Sequence, residues 1–255
     1  MKLSWLSCAA AAALLLALPA ADARAQALSA PQKTEIEALI RNYLIKNPEV
    51  LQEAMAELEK RQNAAEAEKA KGAIAQYSER LFSSARGVVV GNPQGDVTMV
   101  EFFDYNCGYC KRAMVDMMDL LKSDPKLKII LKEFPVLGPG SVEAAQVGIA
   151  VRMQDKTGKK YLDFHQRLLT GRGQADKARA LAAAKEAGLD MARIEKDMAT
   201  DEVRQTLEES FKIAEGLGMN GTPSYVVGTD LVIGAVGLAA LKEKVANARC
   251  GKATC

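Results

Sequence analysis

The most informative part of the sequence is Val100-Glu101-Phe102-Phe103-Asp104-Tyr105-Asn106-Cys107-Gly108-Tyr109-Cys110. It begins as an apolar, β-rich run, and residues 111–121 behind it have helical composition. The Cys-x-x-Cys motif therefore stands between a predicted strand and the first turn of a predicted helix. A helix N-terminus offers unpaired N–H groups and a partial positive charge, which stabilise a thiolate. We predict that Cys107 is an exposed nucleophile and that Cys110 is a more buried thiol that resolves a mixed disulfide.

A single Cys-x-x-Cys motif also occurs in zinc sites, but a four-thiolate site is usually built from two such motifs. Here Cys250 and Cys255 are separated by four residues, and His165 is the only histidine. A metal held by both cysteine pairs would silence the redox motif. The strand–motif–helix context favours redox chemistry, and we expect neither a metal nor a cofactor. Because no protease-like signature surrounds the motif, we interpret His165 as a packed or surface residue.

The N-terminus has the features of an export signal. Lys2 provides a positive charge, residues 6–18 include a short apolar core, and Ala25-Gln26-Ala27 fits a small-x-small cleavage site. The alternative, an uncleaved membrane anchor, needs about 20 apolar residues, more than this run supplies. We predict a secretory signal peptide at residues 1–27 and a mature protein in the periplasm.

An exported protein meets an oxidising compartment in which disulfides persist. We interpret Cys250 and Cys255 as a structural disulfide; the alternative is a second redox pair that relays electrons to the Cys-x-x-Cys motif. The formal net charge is only +2, and no basic stripe with interleaved aromatic residues occurs. Nucleic-acid binding is therefore not expected.

Residues 28–85 are almost free of glycine and are predicted to be helical. Thr34-Glu35-Ile36-Glu37 predicts a capping box, and Asn47-Pro48 predicts a break before a second, longer helix. A long, thin helix does not bury its sparse apolar stripe by itself. Two interpretations stay open: the segment is an oligomerisation stalk, or it folds back on the rest of the chain.

Residues 86–255 carry strand and helix signals in the order β, β, α, β, helical block, β, β, α. The helical block covers about residues 141–216, and Gly228-Thr229-Asp230 predicts a hairpin turn after it. The order predicts an α/β domain with a central sheet flanked by helices. An all-α insertion interrupts this domain, and the helical extension precedes it.

Three further segments extend the pattern of the first stretch: Lys132-Glu133-Phe134-Pro135, Leu137-Gly138-Pro139 and Gly221-Thr222-Pro223-Ser224. Together these segments resemble the DsbA-type thiol-disulfide oxidoreductases over about residues 86–248. The resemblance implies a thioredoxin-like fold interrupted by a helical domain. It also implies a cis-proline loop at Thr222-Pro223, beside the cysteines, where an extended substrate segment pairs with the backbone at Thr222.

The resemblance also implies roles for residues around the motif. Glu101 matches an acidic residue that lies buried beneath the cysteines and aids proton transfer; a buried carboxylate needs a partner or a raised pKa. We predict Lys132, on the neighbouring strand, as that partner, with two solvent-facing side chains as the alternative. The spacer residues Gly108 and Tyr109 are predicted to contact substrate together with the cis-proline loop.

The spacer Gly108-Tyr109 lacks the Pro-His of strongly oxidising members, so we expect a less oxidising disulfide. The threonine before the cis-proline and the long helical region resemble the copper-sensitivity-related ScsC members. We therefore hypothesise a homo-oligomer, assembled through residues 28–85, that isomerises or reduces disulfides in cysteine-containing exported proteins. A membrane-embedded redox partner would keep it reduced. The alternatives are a monomeric disulfide-forming oxidase and a non-catalytic copper-binding or chaperone-like protein.

Overall fold

The computed structural model describes residues 28–255, so the predicted signal peptide at residues 1–27 lies outside the described residues. The strands are β1 (Val88–Gly91), β2 (Val97–Phe103), β3 (Leu127–Glu133), β4 (Ser224–Val227) and β5 (Asp230–Ile233). The helices are α1 (Ala30–Lys46), α2 (Glu49–Gln76), α3 (Ser78–Phe82), α4 (Gly108–Ser123), α5 (Pro139–Gln154), α6 (Lys159–Thr170), α7 (Lys177–Glu186), α8 (Met191–Met198), α9 (Asp201–Gly216) and α10 (Leu238–Cys250). The chain divides into two compact units between Leu58 and Glu59.

The first unit consists of α1 and the beginning of α2. Helix α1 begins after Ser29, whose backbone N–H donates to the Gln32 side chain at 2.9 Å. The capping box predicted at Thr34 is therefore wrong: Thr34 lies one turn inside the helix, and its hydroxyl donates to the Ala30 carbonyl at 3.2 Å. Helix α1 ends where Asn47-Pro48 predicts a break, with Asn47 as its C-cap.

No residue of α1 is buried. Eight large apolar side chains of this unit are exposed by between 40 and 70%: Ile36, Leu39, Ile40, Tyr43, Ile45, Leu51, Met55 and Leu58. These side chains give the first unit an apolar surface.

The second unit is built around a five-stranded sheet in the order β1-β3-β2-β4-β5. Strands β2 and β3 run parallel, and the other pairs are antiparallel. The two central strands are almost continuously buried because helices cover both sheet faces. One face packs on α4, α6 and α10, and the other packs on α3 and α9. This mixed sheet with flanking helices is the predicted α/β architecture, and the cysteine motif lies at the start of α4, after β2.

The helical insertion, α5 to α9, lies between β3 and β4. Two of its helices start at aspartate caps, since the Asp176 and Asp190 carboxylates accept hydrogen bonds from the backbone N–H groups of Arg179 and Arg193. Among residues 28–255, no helix combines the length and apolarity needed to cross a membrane.

Cys250 and Cys255 form a disulfide at the exposed C-terminus, behind α10. Cys255 lines a shallow cavity with Ser123 and Asp124, at the C-terminal end of α4. Cys107 caps the opposite end of that 16-residue helix, which is about 24 Å long. The two cysteine pairs are therefore too far apart for direct electron transfer by thiol exchange in this structure.

Candidate active site

Strand β2 and helix α4 position the two cysteines. Cys107 is the N-cap of α4, with extended backbone angles (φ −76°, ψ 116°), and Cys110 lies in the first helical turn. Both cysteines are free thiols. A hydrogen bond from the Cys110 thiol, helped by the backbone N–H groups of Tyr109 and Cys110, lowers the pKa of Cys107 to about 5, against the opposing effect of burial.

The second cysteine has the opposite electrostatic environment. Its hydrogen bond to Cys107, its burial and the negative charge of Glu101 all raise the pKa of the Cys110 thiol. At neutral pH Cys107 is therefore a thiolate and Cys110 is a protonated thiol, the arrangement that a nucleophile and a resolving thiol need.

Burial of the pair differs from the sequence-based expectation in one respect. Cys107 is 6% exposed and Cys110 is 1% exposed, so the order is as expected but Cys107 is not an exposed residue. The Thr222 carbonyl lies 3.1 Å from Cys107 Sγ and accepts a hydrogen bond from the thiol when Cys107 is protonated. The loop that carries Thr222 therefore covers part of the sulfur. The spacer residues are exposed, Tyr109 by 58%.

The Thr222–Pro223 peptide bond is cis. The Ser224 hydroxyl donates to the Gly221 carbonyl at 2.7 Å, and the Pro223 carbonyl accepts from Gly234 N–H at 2.9 Å. These bonds hold the loop against Cys107, with Pro223 buried and Thr222 partly exposed.

Glu101 lies on β2, 3% exposed, on the sheet face that packs against α4. Burial, together with the negative charges of Asp116 and Cys107, raises the pKa of Glu101 to about 8. Its Oε2 atom has no hydrogen-bond partner. A carboxyl group with this pKa exchanges protons near neutral pH, as a proton acceptor for a thiol must.

Lys132 is not the partner of Glu101, so that prediction is wrong. In the parallel register Glu101 stands opposite Leu131, whereas Lys132 stands opposite Phe102. Neighbouring residues of a strand point to opposite faces, so the Glu101 and Lys132 side chains lie on different faces of the sheet. Lys132 is 1% exposed, and its Nζ atom donates to Glu209 Oε1 at 2.9 Å. It therefore belongs to a buried ion pair and not to the cysteine site.

Sequence reasoning missed Asp104, which organises the loop before Cys107. Its Oδ1 accepts from Asn106 N–H at 2.7 Å and from the Ser141 hydroxyl at 2.8 Å. Its Oδ2 accepts the N–H groups of Val136 and Leu137. The available signal was the position of Asp104 directly after an apolar strand, where a carboxylate is expected to be buried. A buried carboxylate requires several hydrogen-bond donors, which indicates an organising role.

Asn106 extends this network to the helical insertion. Its side-chain amide donates to the Ala175 carbonyl and accepts the Ala175 N–H, at 2.9 and 2.7 Å. The residue next to Cys107 is thereby fixed to a loop nearly 70 residues later in the chain, a contact that no local pattern indicates.

His165 is a packed residue, as interpreted from the sequence. It is 1% exposed and lies against the rings of Phe103, Tyr105 and Tyr161. Burial lowers the pKa of His165 to about 3, so the ring is neutral at neutral pH. Its Nδ1 lies 3.4 Å from Tyr105 Oη.

The same pocket contains a second buried acid, Glu133. Its Oε1 accepts from Tyr161 Oη at 2.7 Å and from Tyr105 Oη at 3.0 Å. A Cβ at Gly148 would collide with this carboxyl group, so the glycine allows the close approach. Burial raises the pKa of Glu133 to about 8, although the two tyrosine hydrogen bonds act in the opposite direction.

This raised pKa predicts a pH-dependent stability. A carboxyl group that ionises more easily in the unfolded chain contributes stability below its ordinary pKa, and that contribution is lost as the pH rises through about 8. Glu101 acts in the same direction. We expect Glu133→Gln to flatten the decrease of unfolding free energy between pH 5 and 8, as measured by urea denaturation. Exposed Glu195→Gln is the control; an equal slope in Glu133→Gln and wild type contradicts the prediction.

Comparison with known proteins agrees with this geometry. The family model for the DSBA-like thioredoxin domain matches residues 98–246, which include both cysteines and the cis-proline loop. The chain belongs to the DsbA-like family. A second family model, the copper resistance protein ScsC N-terminal domain, matches residues 32–65 of the helical extension.

Solved structures support the DsbA-like assignment. A thioredoxin-like oxidoreductase from Silicibacter pomeroyi DSS-3 is 43% identical, with a TM-score of 0.63, and the match covers 67% of this chain and 96% of that chain. Proteus mirabilis ScsC in a transitional conformation is 31% identical, with a TM-score of 0.64, covering 88% and 98% of the two chains. The fold is thus thioredoxin-like, and the chain is a DsbA-like thiol-disulfide oxidoreductase.

A match to a longer curated protein covers only part of that protein. The chain is 26% identical over 168 residues to the Na(+)/H(+) antiporter NhaA 1 of Salinispora arenicola, and it spans about a quarter of that protein's length. The matched segment covers 65% of this chain.

Proposed function

We propose that this DsbA-like protein exchanges disulfides with cysteine-containing exported proteins in the periplasm, as an isomerase or reductase. The observation that carries the proposal is the placement of two free thiols at one helix start, with Cys107 as the N-cap of α4 and Cys110 in its first turn. This placement accompanies opposite pKa shifts, which lower the pKa of Cys107 and raise that of Cys110. A thiolate nucleophile is thereby paired with a thiol that stays protonated until it is needed.

In the proposed reaction the Cys107 thiolate attacks one sulfur of a substrate disulfide. That disulfide breaks, its second sulfur leaves as a thiolate, and Cys107 is joined to the substrate by a new S–S bond. For isomerisation, the substrate thiolate attacks another disulfide of the substrate. A substrate thiolate then attacks the sulfur that is joined to Cys107, a new substrate disulfide forms, and Cys107 leaves as a thiolate. For reduction, Cys110 gives its proton to Glu101 and attacks Cys107 Sγ, which releases the reduced substrate.

Exposed residues beside the cysteines offer a contact surface for a substrate. Gly108, Tyr109 and the partly exposed Thr222 surround Cys107 Sγ, and an extended segment can pair with the backbone at Thr222 in the manner of an added strand. The Arg112 guanidinium lies 4.5 Å above the Tyr109 ring, which adds a cation at this exposed aromatic surface.

The expected direction rests on the strength of the thiolate. A pKa of about 5 for Cys107 lies between the values of roughly 3.5 and 7 that accompany strongly oxidising and reducing thioredoxin-like sites. An intermediate site suits isomerisation, because both the free thiolate and the mixed disulfide must form and break readily. A reduced site needs an electron donor, for which we propose a membrane-embedded redox partner.

The helical extension supports a homo-oligomer. Its apolar side chains are exposed, Leu39 by 69% and Met55 by 70%, and a second copy of the chain offers a matching apolar surface. The match to the ScsC N-terminal domain covers these residues. Assembly through residues 28–85 would place several catalytic domains on one particle and so raise their effective concentration at a substrate with several disulfides.

The test combines the reduction potential of the Cys107–Cys110 pair with the mass of the same sample in solution. We expect an oligomer with a potential more reducing than about −120 mV, which reactivates scrambled ribonuclease. Met55→Asp should lower the mass without changing the potential, and Gln52→Asp, at a neighbouring exposed position, should change neither. A strongly oxidising monomer contradicts the isomerase proposal and favours a disulfide-forming oxidase.

A further inference from the structure

Two buried polar atoms beneath the cysteines have no hydrogen-bond partner: Glu101 Oε2 and Tyr225 Oη. Glu101 and Tyr225 are directly opposite residues of the antiparallel pair β2–β4, so both side chains lie on the same sheet face. They are 3% and 1% exposed. Two adjacent unpartnered polar groups at such depth are uncommon, and each needs a physical explanation.

The surroundings of Glu101 make Tyr225 its natural donor. Helix α4 contributes the negatively charged Asp116 and the two cysteines. Helix α10 packs here through the apolar Leu241 and Val245, and the β3 neighbour, Leu131, is also apolar. Among the described residues on this face, no cation accompanies Glu101, because Lys132 lies on the other face.

We propose that Tyr225 is a positioning residue for proton transfer at Cys110, whose hydroxyl donates to the Glu101 carboxylate directly or through an internal water. The hydrogen bond favours the ionised form of Glu101 and directs it toward the Cys110 thiol. The electrostatic coupling of Tyr225 to Glu101 and Cys110 is consistent with this closeness, since both raise the pKa of its hydroxyl. The inference rests on the proposed exchange at Cys107 and concerns only its second step.

In that step the Cys110 thiol transfers its proton to the Glu101 carboxylate. The Cys110 sulfur then attacks Cys107 Sγ, the Cys107–Cys110 bond forms, and the bond from Cys107 to the substrate breaks. The substrate sulfur leaves with the electron pair of that bond. Tyr225 keeps its proton throughout, because it acts only as a hydrogen-bond donor.

The test is the pH dependence of substrate release from a preformed mixed disulfide, followed in a single turnover by mass spectrometry. One hydrogen bond to a charged group shifts a pKa by about one unit. We therefore expect Tyr225→Phe to move the midpoint upward by about one pH unit, with release about 10-fold slower below the midpoint. 3-Fluorotyrosine at position 225 is a stronger donor and should move the midpoint downward. The rate of the first attack by Cys107 should stay unchanged.

Two comparisons separate this role from a structural one. In a Glu101→Gln background Tyr225→Phe should have no further effect, because the group it acts through is gone. Tyr161→Phe, which removes a buried hydroxyl bonded to Glu133, should leave the midpoint unchanged. An unshifted midpoint in Tyr225→Phe and with 3-fluorotyrosine, or an equal shift in the Glu101→Gln background, overturns the inference. If the wild type and all variants fail in the attack of Cys107 on a substrate disulfide, the proposed function is contradicted instead.

Discussion

Cys107→Ser is expected to reduce disulfide exchange by at least about 1,000-fold. The serine hydroxyl is not ionised at neutral pH and forms no disulfide, so neither the attack nor the mixed disulfide remains. The environment that lowers the pKa of Cys107 to about 5 is too weak to ionise a serine hydroxyl, whose ordinary pKa is far above that of a thiol. Reactivation of scrambled ribonuclease and reduction of insulin measure the effect.

Two variants serve as controls for Cys107→Ser. Cys110→Ser keeps the nucleophile but lacks the resolving thiol, so mixed disulfides with substrate should accumulate and be detected by intact mass. The paired change of Cys250 and Cys255 to serine should leave exchange intact, because that disulfide lies at the other end of α4. Full activity of Cys107→Ser contradicts the enzyme assignment of the motif and favours a thiol-dependent binding protein.

Glu209→Gln is expected to lower the free energy of unfolding by about 3–5 kcal/mol. Lys132 is 1% exposed, and the 2.9 Å bond from its Nζ to Glu209 supplies the counter-charge. Burial already lowers the pKa of Lys132, which shows the cost of an ammonium group at this depth. Glu209 also accepts from Ser84 and Arg86, so its loss weakens several bonds. Urea denaturation measures the change.

The matched control is Glu208→Gln, which breaks an exposed i,i+4 pair with Arg204 and should cost less than about 1 kcal/mol. Lys132→Met combined with Glu209→Gln should recover most of the loss, since no unpaired buried charge remains. Lys132→Met alone should leave the reduction potential of the cysteine pair unchanged. A change in that potential would indicate that Lys132 acts on the cysteine pair, although its side chain lies on the sheet face opposite to Glu101.

Local patterns account for the parts of the site that the sequence predicted. The apolar run before Cys107 and the helical composition after Cys110 predicted the strand and the helix, and these two elements place Cys107 at the helix start with Cys110 in the first turn. The error over Lys132 has a simple origin, because one step in strand register moves a side chain to the other face. Register depends on the paired strand, which a single sequence does not specify.

The residues that were missed depend on long-range packing. Asp104 and Asn106 acquire their partners from Ser141 and Ala175, which the insertion brings back to the motif. Glu133 meets Tyr161 only because α6 folds over the sheet. Polar residues inside apolar runs mark such positions, but their partners emerge only with the tertiary structure.

The disulfide at the C-terminus has a practical consequence for measuring redox chemistry. When Cys107 and Cys110 are oxidised, a strong reductant opens two bonds in each chain, so a bulk thiol assay sums the surface disulfide and the catalytic pair. The only tryptophan, Trp5, precedes the predicted cleavage site, so a chain cleaved there would lack the usual fluorescent reporter of cysteine oxidation. Alkylation followed by peptide analysis reports the redox state of each cysteine pair separately. A variant without Cys250 and Cys255 should give a redox titration curve with one component in place of two.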